Sequence, residues 1–508
     1  MLTKEWKQLK NGSDIRGIAI ESETGKINLT DEVVSKIAYG FGFWLKEKCN
    51  KAPGDIKVAV GHDSRLSADR IKLQVIDALK NSGFTVYDCG LISTPAMFMT
   101  NIVPQLNCDG SIQITASHLP YDRNGLKFFT KTGGCEGRDI ESILLNAQND
   151  IRCPKKEGKV IEYDFLSEYA DILVNKVRCA VNNKEDYEKP LKNFKVVVDA
   201  GNGAGGFYVE KVLKPLGADT TGSQFLEPDG TFPNHIPNPE NEDAMGFVTK
   251  AVIANKADMG IIFDTDVDRA GAVDSKGLEI NRNKLIALIS AILLEEKKPA
   301  VIVTDSITSD GLRKFIENHG GMHHRFKRGY KNVINEAIRL NKEGKYCPLA
   351  IETSGHAALK ENYFLDDGAY LVTKLLIKMA QLKEENKKIE DLLLGLEEPL
   401  ETKEVRMNIN LEDFQSYGES IIKAVENYAL SNKNWTVAPE NYEGIRVSFN
   451  KENGDGWFLL RMSLHDPLMP LNIESNIKGG VKIILKQLYT VLKQYDLLDT
   501  TAIKDYIK

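Results

Sequence analysis

Three carboxylates alternate in Asp264-Thr265-Asp266-Val267-Asp268-Arg269, directly after the apolar run MGIIF (259–263). Negative charges packed this closely are costly unless a cation offsets them. Hard oxygen ligands suit Mg²⁺, which commonly bridges to phosphate. An EF-hand is disfavoured, because its loop needs Gly at the sixth position and Glu at the twelfth, where this chain has Arg269 and Ser275. Arg269 itself is suited to anchoring a phosphate. A second group, Thr115-Ala116-Ser117-His118-Leu119-Pro120, also follows a strand-like run. A serine hydroxyl is a weak nucleophile until it is activated or carries a phosphoryl group. Downstream, Arg123-Asn124-Gly125-Leu126-Lys127 reads as a hairpin strand that brings Lys127 back toward Ser117. A lysine there can neutralise phosphate or move a proton.

Four shorter pieces carry weaker signals. Glu352-Thr353-Ser354-Gly355-His356 offers acceptors and donors for sugar hydroxyls and an imidazole that can act near neutral pH; the bland alternative is a polar loop. Arg461-Met462-Ser463-Leu464-His465-Asp466-Pro467, with Arg446 one strand earlier, reads as a phosphate cradle or as ordinary hairpin arginines. Arg16 in DIRG and Arg65 in GHDSR each sit beside a turn, where a solvated arginine is the plain reading.

The elements that must position these groups repeat. IKVAVGHDS (56–64), FKVVVDAGN (194–202) and PAVIVTDSI (299–307) are β-branched runs ending in a polar turn. Each is followed by a helix-like segment and a second strand, GFTVYDCG (83–90), GADTTGSQF (217–225) or GGMHHRF (320–326), which is the order of a βαβ unit and a parallel sheet. The third strand of each unit, SIQIT (111–115), MGIIF (259–263) or PLAIE (348–352), ends at one of the polar loops above. Ligands in open α/β sheets bind beyond the carboxyl ends of strands, so the three loops are expected to serve one site. The last hundred residues differ: EVRMNINL (404–411), GIRVSFN (444–450), GWFLLRMS (456–463) and LNIES (471–475) predict an antiparallel sheet with two helices. The expected architecture is three similar α/β domains with mixed, mainly parallel sheets plus a C-terminal α+β domain around a central cleft. The expected divisions are 1–153, 154–278, 279–398 and 399–508.

The 508 residues exceed one hydrophobic core, and 42% hydrophobic with 27% charged residues is the balance of a globular protein. A net charge of −6 argues against a bulk nucleic-acid surface. Seven scattered cysteines without a C-x-x-C pair predict reduced thiols. The polar opening MLTKEWKQLKNGSD and the shortness of LIALISAILL (285–294) predict neither a secretory signal nor a membrane span, hence a cytoplasmic protein.

Taken together, TASH-x-P, D-x-D-x-D-R, the E-x-SGH loop and a C-terminal R-x-S-x-x-D-P loop, in this order along nearly the whole chain, resemble the α-D-phosphohexomutases, the superfamily of phosphoglucomutases, phosphomannomutases and phosphoglucosamine mutases. The resemblance implies a phosphoserine at Ser117 that donates its phosphoryl group to a hexose 1- or 6-phosphate, giving a bisphosphate that turns over and returns the other phosphoryl. It implies one Mg²⁺ per chain on Ser117, Asp264, Asp266 and Asp268, with a hexose bisphosphate as intermediate and candidate activator. It places Ser117, His118, Lys127, Arg16, Arg65 and Arg269 among the catalytic residues. Glu352, Ser354 and His356 fall at the sugar, and Arg461, Ser463 and His465 at the distal phosphate. The partner is then a phosphosugar, and the protein a monomer or homodimer without nucleic acid or membrane. Enclosure of the intermediate suggests closure by the fourth domain, with a hinge near 399–403. Two loops depart from the pattern: S-L-H-D-P stands where S-G-T-E-P or S-N-T-E-P is usual, and IETSGH lacks the leading Gly. Lys327, Arg328 and Lys331 lie where the family places another basic residue, and the pattern does not choose among them.

Three rival readings remain at this stage. IIFDTDV fits the D-x-D-x-[TV] pattern of haloacid-dehalogenase-like phosphotransferases, in which Asp264 would be the nucleophile. Gly201-Asn202-Gly203-Ala204-Gly205-Gly206 satisfies the G-x-G-x-x-G dinucleotide fingerprint but lacks its acidic partner on the next strand. A non-catalytic sugar-phosphate-binding protein would keep the loops and lose the chemistry.

Overall fold

The computed structural model describes residues 1–463 and 466–508. By compactness the chain divides into two units, Met1–Leu285 with Ser354–Leu392, and Ile286–Thr353 with Leu393–Lys508. In the first unit the strand Lys57–His62 lies between Gly110–Ile114 and Thr85–Leu91, all parallel, and Lys159–Glu162 extends the parallel edge. Arg123–Thr130 returns antiparallel beside Gly110–Ile114 and pairs in turn with Asp14–Ile18. The central strands are apolar on both faces, as a covered parallel sheet requires. Helix Asp31–Cys49 contributes Phe41 and Leu45 to their core, and helix Ala68–Asn81 contributes Val75 and Leu79. The first of these helices begins with Thr30 accepting from the Val33 N–H, carries Asp31 and Glu32 in its first turn, and stops at left-handed Asn50.

A second sheet in this unit runs Glu279–Ile280, Ala270–Asp274, Met259–Phe263, Val196–Asp199. Only the last pair is parallel, with Ile262 opposite Asp199. The strand expected at 217–225 does not form; isolated bridges Lys195–Asp219 and Asp199–Gln224 stand in its place. Turn chemistry prevails there: the Asp219 carboxylate accepts the Thr221 N–H, and Phe225 is left-handed. Helix Gly368–Glu384 completes the unit beside Phe165–Val181, and Tyr169 donates to both oxygens of its N-cap, Asp367, at 2.6 and 2.7 Å.

In the second unit Val301–Asp305 lies between Met322–Phe326 and Leu349–Ile351, all parallel. The C-terminal sheet is antiparallel throughout, in the order Glu401–Asn408, Leu468–Ser475, Gly456–Leu460, Ile445–Phe449, Thr436–Val437. Helices Phe414–Ser431 and Gly480–Leu492 pack on it through residues such as Ile421, Val425, Ile484 and Leu488, each buried and each contributing ~1.5–3 kcal/mol by burial. Residues 401–403 belong to this ladder, with Thr402 opposite Glu474 and Lys403 opposite Ile473. By compactness the chain passes into the second unit earlier, between Leu392 and Leu393. No described helix is long and apolar enough to cross a membrane.

Candidate functional site

Ser117 follows the strand Gly110–Ile114 in a left-handed conformation, φ 52°, with its N–H donating to Thr115 Oγ1 at 2.9 Å. This turn lifts the hydroxyl off the strand end. The buried Ser117 Oγ donates to Asp264 Oδ2 at 3.0 Å and accepts from Arg269 Nη2 at 2.8 Å. Arg269 is 1% exposed and grips Asp264 through Nε at 3.0 Å and Nη2 at 2.9 Å. His118 Nδ1 accepts from the same Nη2 at 2.6 Å. Burial and then the Arg269 charge push the His118 pKa down to about 2, so its ring is neutral.

Lys127 enters from the antiparallel strand. Its ammonium donates to Asp266 Oδ2 at 2.9 Å and also to Asp268. Burial opposes that charge, but the two carboxylates outweigh it and hold the pKa well above the usual lysine value. Burial and Asp268 raise the Asp264 pKa against the pull of Arg269. Asp268 moves the other way: burial would raise it, but Lys127, His356 and Arg269 hold it below the usual carboxylate range. Thr94, which the sequence reading missed, donates to Asp266 Oδ2 at 2.5 Å, and its N–H donates to the Asp266 carbonyl at 2.8 Å. Its signal was the strand-end S-T-P cap opening helix Thr94–Met99.

The acidic loop is tightly built. Val267 is left-handed at φ 66°, unusual for a β-branched residue. The glycine-rich run near 201–206 packs against it: a Cβ on Gly203 would come within 2.5 Å of the Thr265 carbonyl oxygen. Close backbone approach therefore accounts for a glycine that the dinucleotide reading would assign to a pyrophosphate. The trio's ligand oxygens lie within 4.8 Å of one another. Asp266 Oδ1 and Asp268 Oδ1 are buried without a hydrogen-bond partner. Hard anionic oxygens, clustered and unsatisfied, fit a divalent cation.

Arg65 has a different place. Its guanidinium donates to the backbone carbonyls of Ser117 and Leu119, the latter at 2.6 Å, and to those of Pro120 and Arg123 at 2.7 and 2.9 Å. It therefore shapes the serine loop. Arg16 donates to the Ala116 carbonyl at 3.1 Å and pairs with Asp14 at 3.0 Å. His356 forms a backbone bridge with Arg269, accepts or donates at Ser354 Oγ over 2.9 Å, and stands 3.6 Å from Asp268. A cavity of about 540 Å³ opens beside His118, lined by Tyr121, Phe232, Ile236, Asn238 and Glu240 among others.

The remaining predicted residues belong to the second unit. Glu352 accepts the Gly329 N–H at 2.6 Å. Arg328 Nε stands 3.4 Å from Asp305, and its N–H donates to Glu443 at 3.1 Å. Arg461 has a buried Nε without a hydrogen-bond partner, and burial followed by the charge of Arg328 lowers its pKa. The Ser463 N–H donates to the Leu468 carbonyl at 3.0 Å, and Ser463 Oγ accepts the Asp466 N–H at 3.3 Å. His465 lies outside the described residues. Arg446 is consumed structurally: it donates to the Ser306 carbonyl and to Asp310, both at 3.1 Å, and stacks 3.5 Å over Trp457.

The scaffold is that of a multidomain α/β enzyme whose polar residues gather at the carboxyl ends of parallel strands. Family models for the phosphoglucomutase/phosphomannomutase α/β/α domains I, II and III match residues 7–152, 167–277 and 281–398. A phosphomannomutase/phosphoglucomutase of Pseudomonas syringae pv. tomato is 30% identical over 95% of this chain and 94% of its own length. A phosphoglucomutase of Neisseria gonorrhoeae is 30% identical over 94% of this chain and 95% of its own. Among solved structures, a phosphoglucomutase/phosphomannomutase family protein from Burkholderia thailandensis superposes with a TM-score of 0.78 at 26% identity, covering 97% of this chain and 98% of that one. The chain belongs to the phosphoglucomutase/phosphomannomutase family of α-D-phosphohexomutases, with three α/β/α domains and a fourth, β-rich one, and is an isomerase working as an intramolecular phosphotransferase on a sugar phosphate.

Proposed function

We propose that the enzyme interconverts hexose 1-phosphates and hexose 6-phosphates of glucose, mannose or both, with Ser117 as the group that gives and takes the phosphoryl. The observation that carries this reading is the placement of Ser117 Oγ, 3.0 Å from Asp264 and 2.8 Å from Arg269 in a buried site. Arg269 is placed to hold an oxygen of a phosphoryl group on Ser117 while keeping its grip on Asp264. Phosphoryl transfer is mainly positioning and charge stabilisation, and a buried guanidinium at the nucleophile supplies both. Lys127, held cationic by Asp266 and Asp268, is the proton donor beside the serine loop. Arg65 and Arg16 fix the loop's backbone through its carbonyls. The neutral His118 orders Arg269 as an acceptor.

Asp264, Asp266 and Asp268, with the serine phosphate, would hold one Mg²⁺, which when bound offsets charge on the transferring phosphoryl group. Glu352, Ser354 and His356 meet sugar hydroxyls, and Arg461 with Ser463 receives the non-transferring phosphate. A hexose bisphosphate is then both intermediate and activator.

The test is chemical. Protein isolated after incubation with hexose bisphosphate is expected to carry an acid-stable phosphate on Ser117. A hydroxylamine-labile phosphate on Asp264 would favour the aspartyl mechanism. Binding without turnover on an unmodified Ser117 would favour a sensor. Coupled assays on glucose, mannose and glucosamine 1-phosphates identify the sugar.

A further inference from the structure

His235 lies in the connection before helix Glu242–Asn255, 8% exposed, with ring centroids 5.4 Å from Phe225 and 5.5 Å from Phe247. Its Nε2 is 3.0 Å from Asp199 Oδ1 and its Nδ1 is 3.0 Å from the Ile236 carbonyl oxygen. A carboxylate and a carbonyl only accept, so both ring nitrogens donate. Burial works against charge on the ring, but the bond to Asp199, the charge of that carboxylate and the Ile236 carbonyl together outweigh it and raise the His235 pKa.

The same Ile236 carbonyl accepts the Asn238 N–H at 2.8 Å. Asn238 Oδ1 accepts the Glu240 N–H at 3.0 Å and faces Arg269 Nη1 at 3.3 Å. Arg269 Nη2 in turn reaches Ser117 Oγ. Asp199 ends the strand Val196–Asp199 opposite Ile262, two residues before Asp264. Two adjacent strand ends thus hold one guanidinium, the first through Asp264 and the second through His235 and Asn238.

We propose that His235 is a positioning residue for phosphoryl transfer: clamped between Asp199 and the Ile236 carbonyl, it sets the turn from which Asn238 aims Arg269 at the Ser117 oxygen. The inference rests on the roles given to Ser117 and Arg269 above. It concerns orientation only, since His235 does not touch the reacting atoms.

The experiment is a double-mutant cycle read in steady-state kinetics on the Mg²⁺-loaded enzyme with a hexose 1-phosphate. His235→Phe keeps the ring between Phe225 and Phe247 and removes both donors. Its kcat is expected to fall about tenfold with KM unchanged, because misplacing a catalytic group by about 1 Å costs up to ~10²-fold. His235→Gln, which retains a donor, recovers part of that loss. Asn238→Ala lowers kcat by a similar factor. The double variant falls no further than the worse single one, because both residues act along one chain. Losses that multiply in full, or wild-type kcat in the histidine variants, overturn the proposal. If His235→Phe does not fold, His235→Gln takes its corner of the cycle. An active Ser117→Ala enzyme overturns the serine reading instead, which keeps the two failures distinguishable.

Discussion

In the first unit Arg269 and Lys127 are set among Asp264, Asp266 and Asp268, and two carboxylate oxygens of the trio are left without hydrogen bonds. In the second unit the imbalance runs the other way: Arg446 and Arg325 share Asp310, while Arg461 keeps a buried nitrogen unsatisfied near the charge of Arg328. At the acidic loop the unspent groups are acceptors, and at Arg461 the unspent group is a donor, although each unit also buries unsatisfied atoms of the other kind, Arg65 Nε in the first and Asp305 Oδ1 in the second. On the function proposed above, the first would take the cation and the second the phosphate. Buried polar atoms left unsatisfied are destabilising, and the chemistry of those left over tells what each region is built to receive.

This contrast can be broken at its acidic end first. Asp266→Asn is expected to lower turnover by ~10²–10³-fold, the scale of losing one preorganised electrostatic group. Chelation with EDTA should abolish turnover in the wild type, and added Mg²⁺ should restore it. Thermal unfolding in EDTA should leave Asp266→Asn no less stable than wild type, because a buried like-charge contact is relieved. A variant that loses several degrees in Tm while keeping its turnover would show the trio to be structural.

Next comes Arg446, whose role is packing. Arg446→Leu removes one of the two arginine partners of Asp310 and the cover of Trp457, and should cost about 3 kcal/mol of stability with little change in KM. Denaturant unfolding of the second unit's signal measures it. Arg461→Ala should do the reverse: KM for the phosphosugar rises ~10- to 100-fold, as for loss of a charge-assisted contact, and Tm barely moves. Equal effects of the two arginines on KM would erase the distinction drawn between them.

The smallest effect is on pH. Burial raises the Glu474 pKa to about 7 against the pull of Arg446, from an ordinary 4.5. The proton is therefore held more tightly in the folded state. Its stabilisation is whole below pH ~4.5 and is lost as pH rises through ~7. Glu474→Gln should flatten the pH dependence of unfolding in that window, and an unchanged slope would remove Glu474 as its source.

Much of this was legible in the chain because it is local. A run such as MGIIF followed by alternating aspartates states both a buried strand and a cation site within eleven residues. The loop of Ser117, and the return of Lys127 on a neighbouring strand, follow from a hairpin of ordinary length. What failed had no local mark. The segment 217–225 stands where the βαβ order calls for a strand, but Asp219 and left-handed Phe225 turn it away. The chain from Asp199 through His235 to Arg269 spans 36 residues between its first two members and needs the fold to assemble it. Arg65 stands beside a turn in the sequence, and only tertiary contact reveals that its two terminal nitrogens donate to four backbone carbonyls.

The way the chain crosses between its units also bears on how it is made. Tyr169 has its buried hydroxyl on Asp367, 198 residues later. A ribosome that has released residue 285 has therefore delivered a first unit still missing its closing helix, Gly368–Glu384, with the part of Phe165–Val181 that packs on that helix uncovered. Partly assembled domains with exposed apolar surface are prone to aggregate. The interval between synthesis of the two helices, during which the whole parallel sheet of the second unit emerges, is when that apolar surface has no partner from Gly368–Glu384.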